Sequence, residues 1–384
     1  MIKLRVKQSV EDKGIFSRAA IVHSSEVGDI ETPQPIFSNS ESNKLLELNR
    51  SKFLPSKFIP ENKVMEITRH LTQERLQALS SDSKVFDKYK KELLGKTSRY
   101  KDRIRVFRPD ISKKTRITDK ANIALADLAD QADFDWITVQ EESHASSADA
   151  FTKRLNNTRE QILQDVVSEK TKDLVPTLWA MGREDIFQAK IDSIIDNGFK
   201  VIGILSASPL IYWANYEYLR KISNDKDILT VLFDCDRTTQ FNHTTAMNHF
   251  MTLYNFDLIA IKNIIRLSPE AVIKLKEKKY EPKLLDGDSL GYLHLSDFKQ
   301  KYGAKKLSKS ILDANLNTAQ FVKKFEEVDL LQEAIALRNA SISYSEFAVE
   351  RQEIADKNLD SYIKSKAFLL KAANKAFNYQ SRLI

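Results

Sequence analysis

The clearest hydrophobic pattern in the chain lies between residues 175 and 205. Residues 175–181 and 199–205 are two short apolar runs, as in strands that are buried on both faces of a parallel sheet. Between them, residues 183–197 carry apolar side chains at helical spacing, and Gly198 follows at the place where helices often end in a left-handed residue. The pattern predicts a strand, a crossover helix and a second strand, which form the unit of a parallel sheet.

Similar strand and helix patterns extend on both sides of this unit. Residues 103–107 alternate as a strand, Thr118 can cap a helix over 119–131, and 134–139 is a further apolar strand. The other elements predicted here are helices over 147–168, 209–222 and 244–254 and strands over 228–233 and 256–261. Five β-then-α steps in succession predict an α/β protein with a (β/α)8 TIM-like barrel rather than a doubly wound sheet.

The two ends of the chain have other patterns. Residues 1–45 are β-rich with a turn at 26–29, which predicts a hairpin, whereas 46–100 are mostly helical or irregular in pattern. Residues 311–376 are almost continuously helical in pattern and follow a basic stretch at 299–309. We therefore predict a barrel with an N-terminal β-hairpin segment over 1–298 and a basic, mainly helical C-terminal subregion over 299–384.

Composition excludes several classes of protein. No apolar run approaches the roughly 20 residues of a membrane span, and the N-terminus lacks the apolar core of a signal peptide, so we expect a cytoplasmic protein without a membrane partner. The single cysteine, Cys235, excludes an internal disulfide and a zinc site of several thiolates. No metal site or cofactor is predicted, since neither common phosphate-loop motif is present. The net charge of +7 permits contact with nucleic acid without requiring it.

Chemistry in such a barrel is expected just beyond the carboxyl ends of the strands, which gather at one mouth. Glu141 is a candidate general acid or base, and together with Asp234 it forms the carboxylate pair of a possible glycoside or nucleoside hydrolase. The other polar or flexible residues that follow predicted strands are Arg108, Asp110, Glu142, His144, Met181, Gly182, Arg183, Ser206, Ser208, Asp236, Arg237, Lys262 and Asn263.

Four stretches resemble the tRNA-guanine transglycosylases, whose modified (β/α)8 barrel exchanges guanine for a 7-deazaguanine. Residues 17–42 are similar to the family's N-terminal hairpin, with Glu31-Thr32-Pro33 matching best. Residues 107–143 are similar to the run that ends in the family's "DEC" strand, and 174–208 to its "QGG" strand, crossover helix and "GGL" strand. The helix IALRNASISYSEFAVERQEI resembles the "HNL" helix.

The resemblance implies roles for individual residues. Asp82 lies where the family has the acid of "DSGGF", Phe86 where it has the ring that stacks on the base, and Glu141 where it has the carboxylate that recognises the base. The positions that border the base are Met181, Gly182, Gly203 and Leu205. The chain departs from the family at the nucleophilic aspartate, where it has Ala260, and at the zinc site, which has lost its cysteines and has Arg338-Asn339 at the histidine position.

These observations predict a transglycosylase-like protein that binds guanine or a 7-deazapurine base and whose base-exchange activity is altered or lost. The resemblance implies a role in 7-deazapurine modification of a nucleic acid or another acceptor, and relatives that act on DNA or in bacterial antiviral operons make such a setting a hypothesis. We expect a homo- or hetero-oligomer that meets a nucleic-acid or protein acceptor. The alternative is a non-catalytic barrel that docks a partner, and Asp234 or Asp236 could replace the missing nucleophile.

Overall fold

A computed structural model describes residues 3–12, 15–25, 27–39, 41–42, 63–111, 117–164, 173–240, 243–262, 281–308, 310, 312–313 and 315–377. Eight parallel strands close into a barrel in the order β10-β11-β4-β5-β6-β7-β8-β9. They are β4 Gln34–Ser38, β5 Val64–Leu71, β6 Ile104–Ile111, β7 Trp136–Gln140, β8 Asp173–Trp179, β9 Val201–Leu205, β10 Leu229–Cys235 and β11 Leu258–Ile261. The predicted (β/α)8 barrel is therefore confirmed.

Helices connect the strands on the outside of the barrel. The helix predicted over 119–131 is observed as Asp119–Gln131, and the Thr118 hydroxyl accepts the Ala121 N–H as its cap. The crossover helix between β8 and β9 ends before Gly198, which has a φ of 78°. The helices that follow strands β5 to β10 are α1 Gln73–Ser81, α2 Ser83–Thr97, α3 Asp119–Gln131, α4 Ala148–Gln164, α5 Glu184–Asp196, α6 Trp213–Asp225 and α7 Met247–Met251.

A three-stranded antiparallel sheet precedes the barrel, formed by β1 Lys3–Asp12, β2 Ile15–Ser24 and β3 Gly28–Thr32. It is joined to the barrel by a buried ion pair, in which Arg18 Nη2 lies 2.6 Å from Asp257 Oδ2. Asp257 also accepts the Thr230 N–H at the start of β10. A buried pair of this kind is well satisfied, so it fixes the sheet to the amino-terminal end of the barrel.

In the described part of 281–377, a hairpin and five helices pack against the barrel. Their bounds are β12 Lys283–Asp286, β13 Gly291–His294, α8 Leu295–Tyr302, α9 Thr318–Glu326, α10 Leu331–Ala355, α11 Leu359–Ser365 and α12 Ala367–Phe377. Arg351 on α10 donates to the carbonyl of Pro33 at 2.8 Å, and His249 on α7 lies 3.4 Å from Glu350. Among the helices in these described ranges, none combines the length and apolarity that crossing a membrane requires.

The side chains of the barrel strands alternate between an inner and an outer layer. The inner cluster includes Val64, Val106, Val175, Val201 and Val231, whereas Phe107 and Ile67 pack outside against the helices. This period of two fixes which residues face the mouth, because the same faces continue to the carboxyl ends of the strands.

Candidate active site at the barrel mouth

Three charged side chains meet inside the mouth of the barrel. Glu66 on β5, Arg108 on β6 and Asp234 at the end of β10 form one cluster, although β10 lies on the far side of the barrel from β6. The Arg108 guanidinium donates from Nε to Glu66 and reaches Asp234 Oδ1 and Oδ2 with its two terminal nitrogens, at 2.9 and 3.2 Å. The side chains of Glu66 and Arg108 are 1% and 4% exposed, and that of Asp234 is 21% exposed.

The strand alternation explains how two of these residues face inward. Val64 and Val106 belong to the inner cluster, so Glu66 and Arg108, two residues later on the same strands, point to the same side. Burial raises the pKa of Glu66, and the Arg108 guanidinium only partly offsets this increase. A carboxyl group with a raised pKa in a barrel mouth is a feature that often marks a functional site.

Asp234 reaches the mouth through an irregularity in its strand. The pairing of β10 with β11 passes from Leu232 opposite Ile259 directly to Cys235 opposite Ile261, so Phe233 and Asp234 together stand opposite Ala260. Asp234 has a φ of 54°, in the left-handed region that aspartate tolerates better than most residues. Bulges next to active sites change the direction of a side chain. Here the bulge places Asp234 opposite Ala260 on the neighbouring strand, and its carboxylate is held by Arg108.

A carboxylate and an imidazole stand together at the outer end of β5 and β6. His70 and Asp110 are register partners on these strands, and His70 Nδ1 lies 3.0 Å from Asp110 Oδ2. Both side chains are about a third exposed, at 37% and 33%. They continue the inward faces of Glu66 and Arg108, which makes them the nearest titratable pair along these two strands. Such a pair can hold and transfer a proton at a bound molecule.

Polar and aromatic residues from β7, β8 and β10 line the other side of the mouth. Thr138 and Gln140 are both buried, and the Thr138 hydroxyl donates to the carbonyl of Phe107 at 2.9 Å. Trp179 ends β8, and the Phe233 ring lies 6.0 Å from the Arg108 guanidinium carbon. The mouth therefore offers carboxylates, a guanidinium, an amide and two aromatic rings.

Glu141 lies against the helix layer. Its carboxylate accepts from the Lys190 ammonium on α5 and from the backbone N–H of Trp179. The glutamate and the lysine are 1% and 2% exposed, and Lys190 also donates to the carbonyls of Ser143 and His144, each at 3.3 Å. Burial raises the pKa of Glu141, and Lys190 opposes this shift. The arrangement favours a structural anchor for the β7–α4 loop.

The hydrolase alternative required Glu141 to work with Asp234. Among the described residues, no hydrogen bond or ion pair joins the two carboxylates, and each has its own cationic partner. The carboxylate neighbours that the mouth does bring together are Glu66 and Asp234, through Arg108.

Asp82 and Phe86 lie at the helices that follow β5. Asp82 is exposed and caps α2, accepting the N–H groups of Lys84 and Val85 at 2.9 and 3.4 Å. Phe86 is half-buried and packs against the hydrophobic cluster beneath α1 to α3. The acid and stacking roles that the resemblance implies stay predictions. The observed contacts are those of a helix cap and a core residue.

The four predicted base-bordering residues fall into two groups. Met181 and Gly182 follow β8 on the mouth side, where the Gly182 carbonyl accepts from Asn215 Nδ2 at 2.8 Å. Gly203 and Leu205 lie inside the barrel, where Leu205 is 2% exposed. A Cβ on Gly203 would lie 2.7 Å from Thr177 Oγ1 and 2.8 Å from a Phe233 ring carbon. This glycine therefore makes room for the Phe233 ring.

Other sequence candidates take no part in the charged cluster. Cys235 is buried among the outer hydrophobic residues, and burial raises the pKa of its thiol well above the usual range, so the thiol stays protonated and unreactive. Asn263 lies outside the described residues. In the described ranges, no group of three or more His, Cys, Asp or Glu side chains is arranged to hold a metal ion.

Sequence reasoning missed Glu66 and His70 because it did not predict β5. The segment VMEITRHL mixes polar and apolar residues. Glu66, Thr68 and His70 fall at every second position, and Arg69 is the one polar residue out of step. That alternation was the available signal for a strand with a polar inner end.

No protein-family model matches the chain, and no curated protein matches it. Two structures of the carboxyl transferase domain of Rhizobium etli pyruvate carboxylase are similar to it, with 8% and 10% identity and TM-scores of 0.40 and 0.37. They cover 90% and 82% of this chain, which spans 57% and 50% of that domain. A FabK mutant from Thermotoga maritima has 13% identity and a TM-score of 0.32, covering 72% of this chain and 84% of its own. Likenesses this distant carry no argument about activity.

Proposed function

We propose that the mouth of this barrel binds guanine or a 7-deazapurine base, as in a divergent transglycosylase. The observation that carries the proposal is the buried cluster of Glu66, Arg108 and Asp234. A barrel kept only as a scaffold can fill its mouth with apolar side chains. Burying three charges instead has a desolvation cost of several kcal/mol per ion, which a ligand-binding role explains.

The cluster matches the edges of a guanine-like base. Arginine pairs with the O6 and N7 acceptors of guanine through two parallel hydrogen bonds. A 7-deazapurine has carbon in place of N7, so the guanidinium pairs with its O6 alone on this edge. The carboxylates of Glu66 and Asp234 accept hydrogen bonds, as the N1–H and the exocyclic amine of such a base require. In the observed structure the three residues satisfy one another, so the base replaces part of this internal pairing when it binds.

The same mouth contains groups that suit base exchange. Asp234 stands opposite Ala260 on the neighbouring strand, and Ala260 is the position to which the resemblance assigns the nucleophile. The Asp110–His70 pair can supply or accept the proton of a base that leaves or enters. In this proposal Asp110 has the acid role that the resemblance gave to Asp82. The acceptor is a nucleic acid, and the settings of DNA modification or antiviral defence rest on the resemblance alone.

Thermal shift measurements test the proposal. The protein is melted with guanine, 7-cyano-7-deazaguanine and 7-aminomethyl-7-deazaguanine, each at about 100 times a micromolar Kd, where a bound base adds about 2.7 kcal/mol to the free energy of unfolding. At least one base is expected to raise the melting temperature of the wild-type protein, and the Asp234→Asn variant is expected to show a smaller rise. No shift with any of the three bases would contradict the proposal.

The alternative function, a docking scaffold, has one observation in its favour. Leu210, Ile211 and Trp213 lie in and just after the loop that follows β9 and are 41%, 70% and 58% exposed. Apolar side chains of this size on one exposed loop are typical of protein contacts. If this function is correct, no base shifts the melting temperature, and a Trp213→Ser variant loses association with its partner.

A further inference from the structure

A second cavity lies beside the mouth, between β4, the ends of β10 and β11, and helix α10. It has a volume of about 50 Å³, and a single water needs only about 10–15 Å³ on the same measure. The cavity can therefore hold a group the size of a phosphate. Its polar lining residues are Glu41, Arg237, Tyr292, Asn339 and Ser343.

Two hydrogen-bond donors of this cavity are unused. Arg237 is exposed, and its guanidinium takes part in none of the ion pairs or hydrogen bonds found within the described ranges. The Tyr292 side chain is 5% exposed, and its hydroxyl likewise has no hydrogen-bond partner among the residues that the structure describes. Burial raises the pKa of Tyr292 to about 12, so the hydroxyl remains a donor at neutral pH. Both groups are therefore donors that a molecule in the cavity can use.

A second cationic residue, Lys262, directly follows β11. Cys235 pairs with Ile261 where β10 and β11 end, and the N–H of Lys262 donates to the carbonyl of Cys235 at 2.7 Å. The Lys262 side chain is exposed and, in the described part of the chain, has no ion-pair partner. This contact holds Lys262 close to the start of the Arg237 loop.

The carboxylate that lines the cavity, Glu41, already accepts hydrogen bonds from within the protein. Glu41 accepts from both the N–H and the hydroxyl of Ser38, each at 2.9 Å. The cavity is therefore lined by a guanidinium, a phenolic hydroxyl and a hydrogen-bonded carboxylate. Arginine, lysine and tyrosine are frequent contacts of phosphate oxygens in nucleic-acid complexes.

We infer that this cavity binds a backbone phosphate of a nucleic acid through Arg237 and Tyr292. The inference rests on the proposed function. It specifies the acceptor as a nucleic-acid strand that places a base in the mouth and a phosphate of its backbone in this cavity. Arg237 follows Asp234 by three residues, so the backbone between them spans at most about 10 Å. One nucleotide can bridge the two places.

Fluorescence anisotropy with the full chain tests this inference. The probes are fluorescein-labelled single-stranded DNA and RNA hexanucleotides that contain one guanine. The Arg237→Ala/Tyr292→Phe variant is expected to bind at least one of them about tenfold more weakly. The slope of log K against log salt concentration should fall by about one. The control variant is Arg99→Ala, which removes an exposed arginine that precedes β6 at the opposite end of the barrel.

Equal affinities for the wild type and the double variant would overturn the inference, as would an equal loss in the Arg99→Ala control. Melting temperatures of the variants verify that they are folded. Displacement of the hexanucleotides by guanosine 5′-monophosphate or inorganic phosphate at equal concentration would assign the cavity to a free phosphate compound. An affinity for polyglutamate that depends on Arg237 and equals the affinity for the hexanucleotides would assign the cavity to an acidic protein. Either result would reject the binding of a backbone phosphate.

Calorimetry with guanine separates this inference from the proposed function. The double variant is expected to bind guanine as the wild type does, because Arg237 and Tyr292 lie outside the mouth cluster. If guanine binds neither protein, the proposed function fails, while the hexanucleotide comparison still decides whether the phosphate site exists.

Discussion

At the scale of single residues, Arg108 is the centre of the mouth. It satisfies two carboxylates that would otherwise be mutually repulsive and partly desolvated, and it is 4% exposed. Breaking a buried ion pair by removing one partner typically costs about 3–5 kcal/mol, because an uncompensated charge remains. The cluster therefore couples the stability of the barrel to the chemistry of its mouth.

The titration of Glu66 gives a prediction about pH. Its pKa is raised above the ordinary value of 4.5, so the folded protein holds the proton more tightly than the unfolded chain does. Stability is therefore lost as the pH rises from the unfolded pKa to the folded pKa, and no further loss follows above it. Glutamine does not titrate.

The wild type loses stability as the pH rises from the unfolded to the folded pKa of Glu66, whereas Glu66→Gln does not. The difference in the free energy of unfolding is thus expected to shift in favour of Glu66→Gln over that pH range. Urea unfolding of both proteins from about pH 4 to about pH 8 measures the difference. A difference that stays constant with pH, or that moves in favour of the wild type as the pH rises, would reject the raised pKa.

A second residue-scale prediction compares Asp110 with Asp82. Asp110→Asn is expected to weaken base exchange by a factor of about 100 or more, as is typical of losing a general acid. Asp82→Ala is expected to leave exchange unchanged and to reduce the free energy of unfolding by about 1 kcal/mol, through loss of a helix cap. Release of radiolabelled guanine from tRNA and urea unfolding measure the two effects. A large loss of exchange in Asp82→Ala, with exchange unchanged in Asp110→Asn, would instead support the acid role that the resemblance implies for Asp82.

At the scale of elements, the spacing of apolar and polar residues in each segment decided whether its helix or strand could be predicted. Long amphipathic segments such as Asp119–Gln131 were predicted to the residue, because capping and spacing agree. Strand Val64–Leu71 was missed, since its inner face changes from Val64 to the polar Glu66 and His70. The helix predicted over 244–254 is observed only over Met247–Met251, because Thr245 and Ala246 form isolated β-bridges.

Gly203 gives a prediction at the scale of its strand. Alanine at this position places a Cβ 2.7 Å from Thr177 Oγ1 and 2.8 Å from the Phe233 ring, so one of them must move. Gly203→Ala is expected to lower the free energy of unfolding by about 1–3 kcal/mol. The matched control is Gly95→Ala, which has open space and lies within α2, where alanine stabilises a helix by up to about 1 kcal/mol. Thermal unfolding of both variants compares them, and equal effects would contradict the packing role of Gly203.

At the scale of the whole molecule, the C-terminal hairpin and helices are held to one another by buried polar contacts. Arg338 donates to Asp313 at 2.7 Å, and Asn339 binds the backbone of Leu285 and Lys283. By the resemblance, Arg338 and Asn339 occupy the position at which the transglycosylases have the histidine ligand of their zinc ion. The Asn339 amide and the Arg338 guanidinium connect α10 to the hairpin β12–β13, and the ion pair connects α10 to the segment between α8 and α9, so these contacts order the subregion with a single cysteine in the chain.

The architecture was predictable from the sequence, whereas the site was only partly so. Repeated strand and helix periods are local signals, and they led to the barrel. The cluster of Glu66, Arg108 and Asp234 joins residues that are up to 168 positions apart, and it depends on a missed strand and a bulge. Glu141 was predicted at the mouth from its position after a strand, but the side to which its side chain points depends on Lys190.

The most direct test of base binding at the mouth is a calorimetric titration with guanine, whose O6 and N7 are both acceptors. The wild type is compared with Arg108→Lys, which keeps the positive charge but loses the planar fork that pairs with two acceptors, and with the Arg99→Ala control. We expect micromolar binding by the wild type and the control, and binding at least about tenfold weaker in Arg108→Lys, which corresponds to about 1.4 kcal/mol. Binding of equal strength in all three proteins would show that the base lies elsewhere, and the absence of binding in all three would contradict the account.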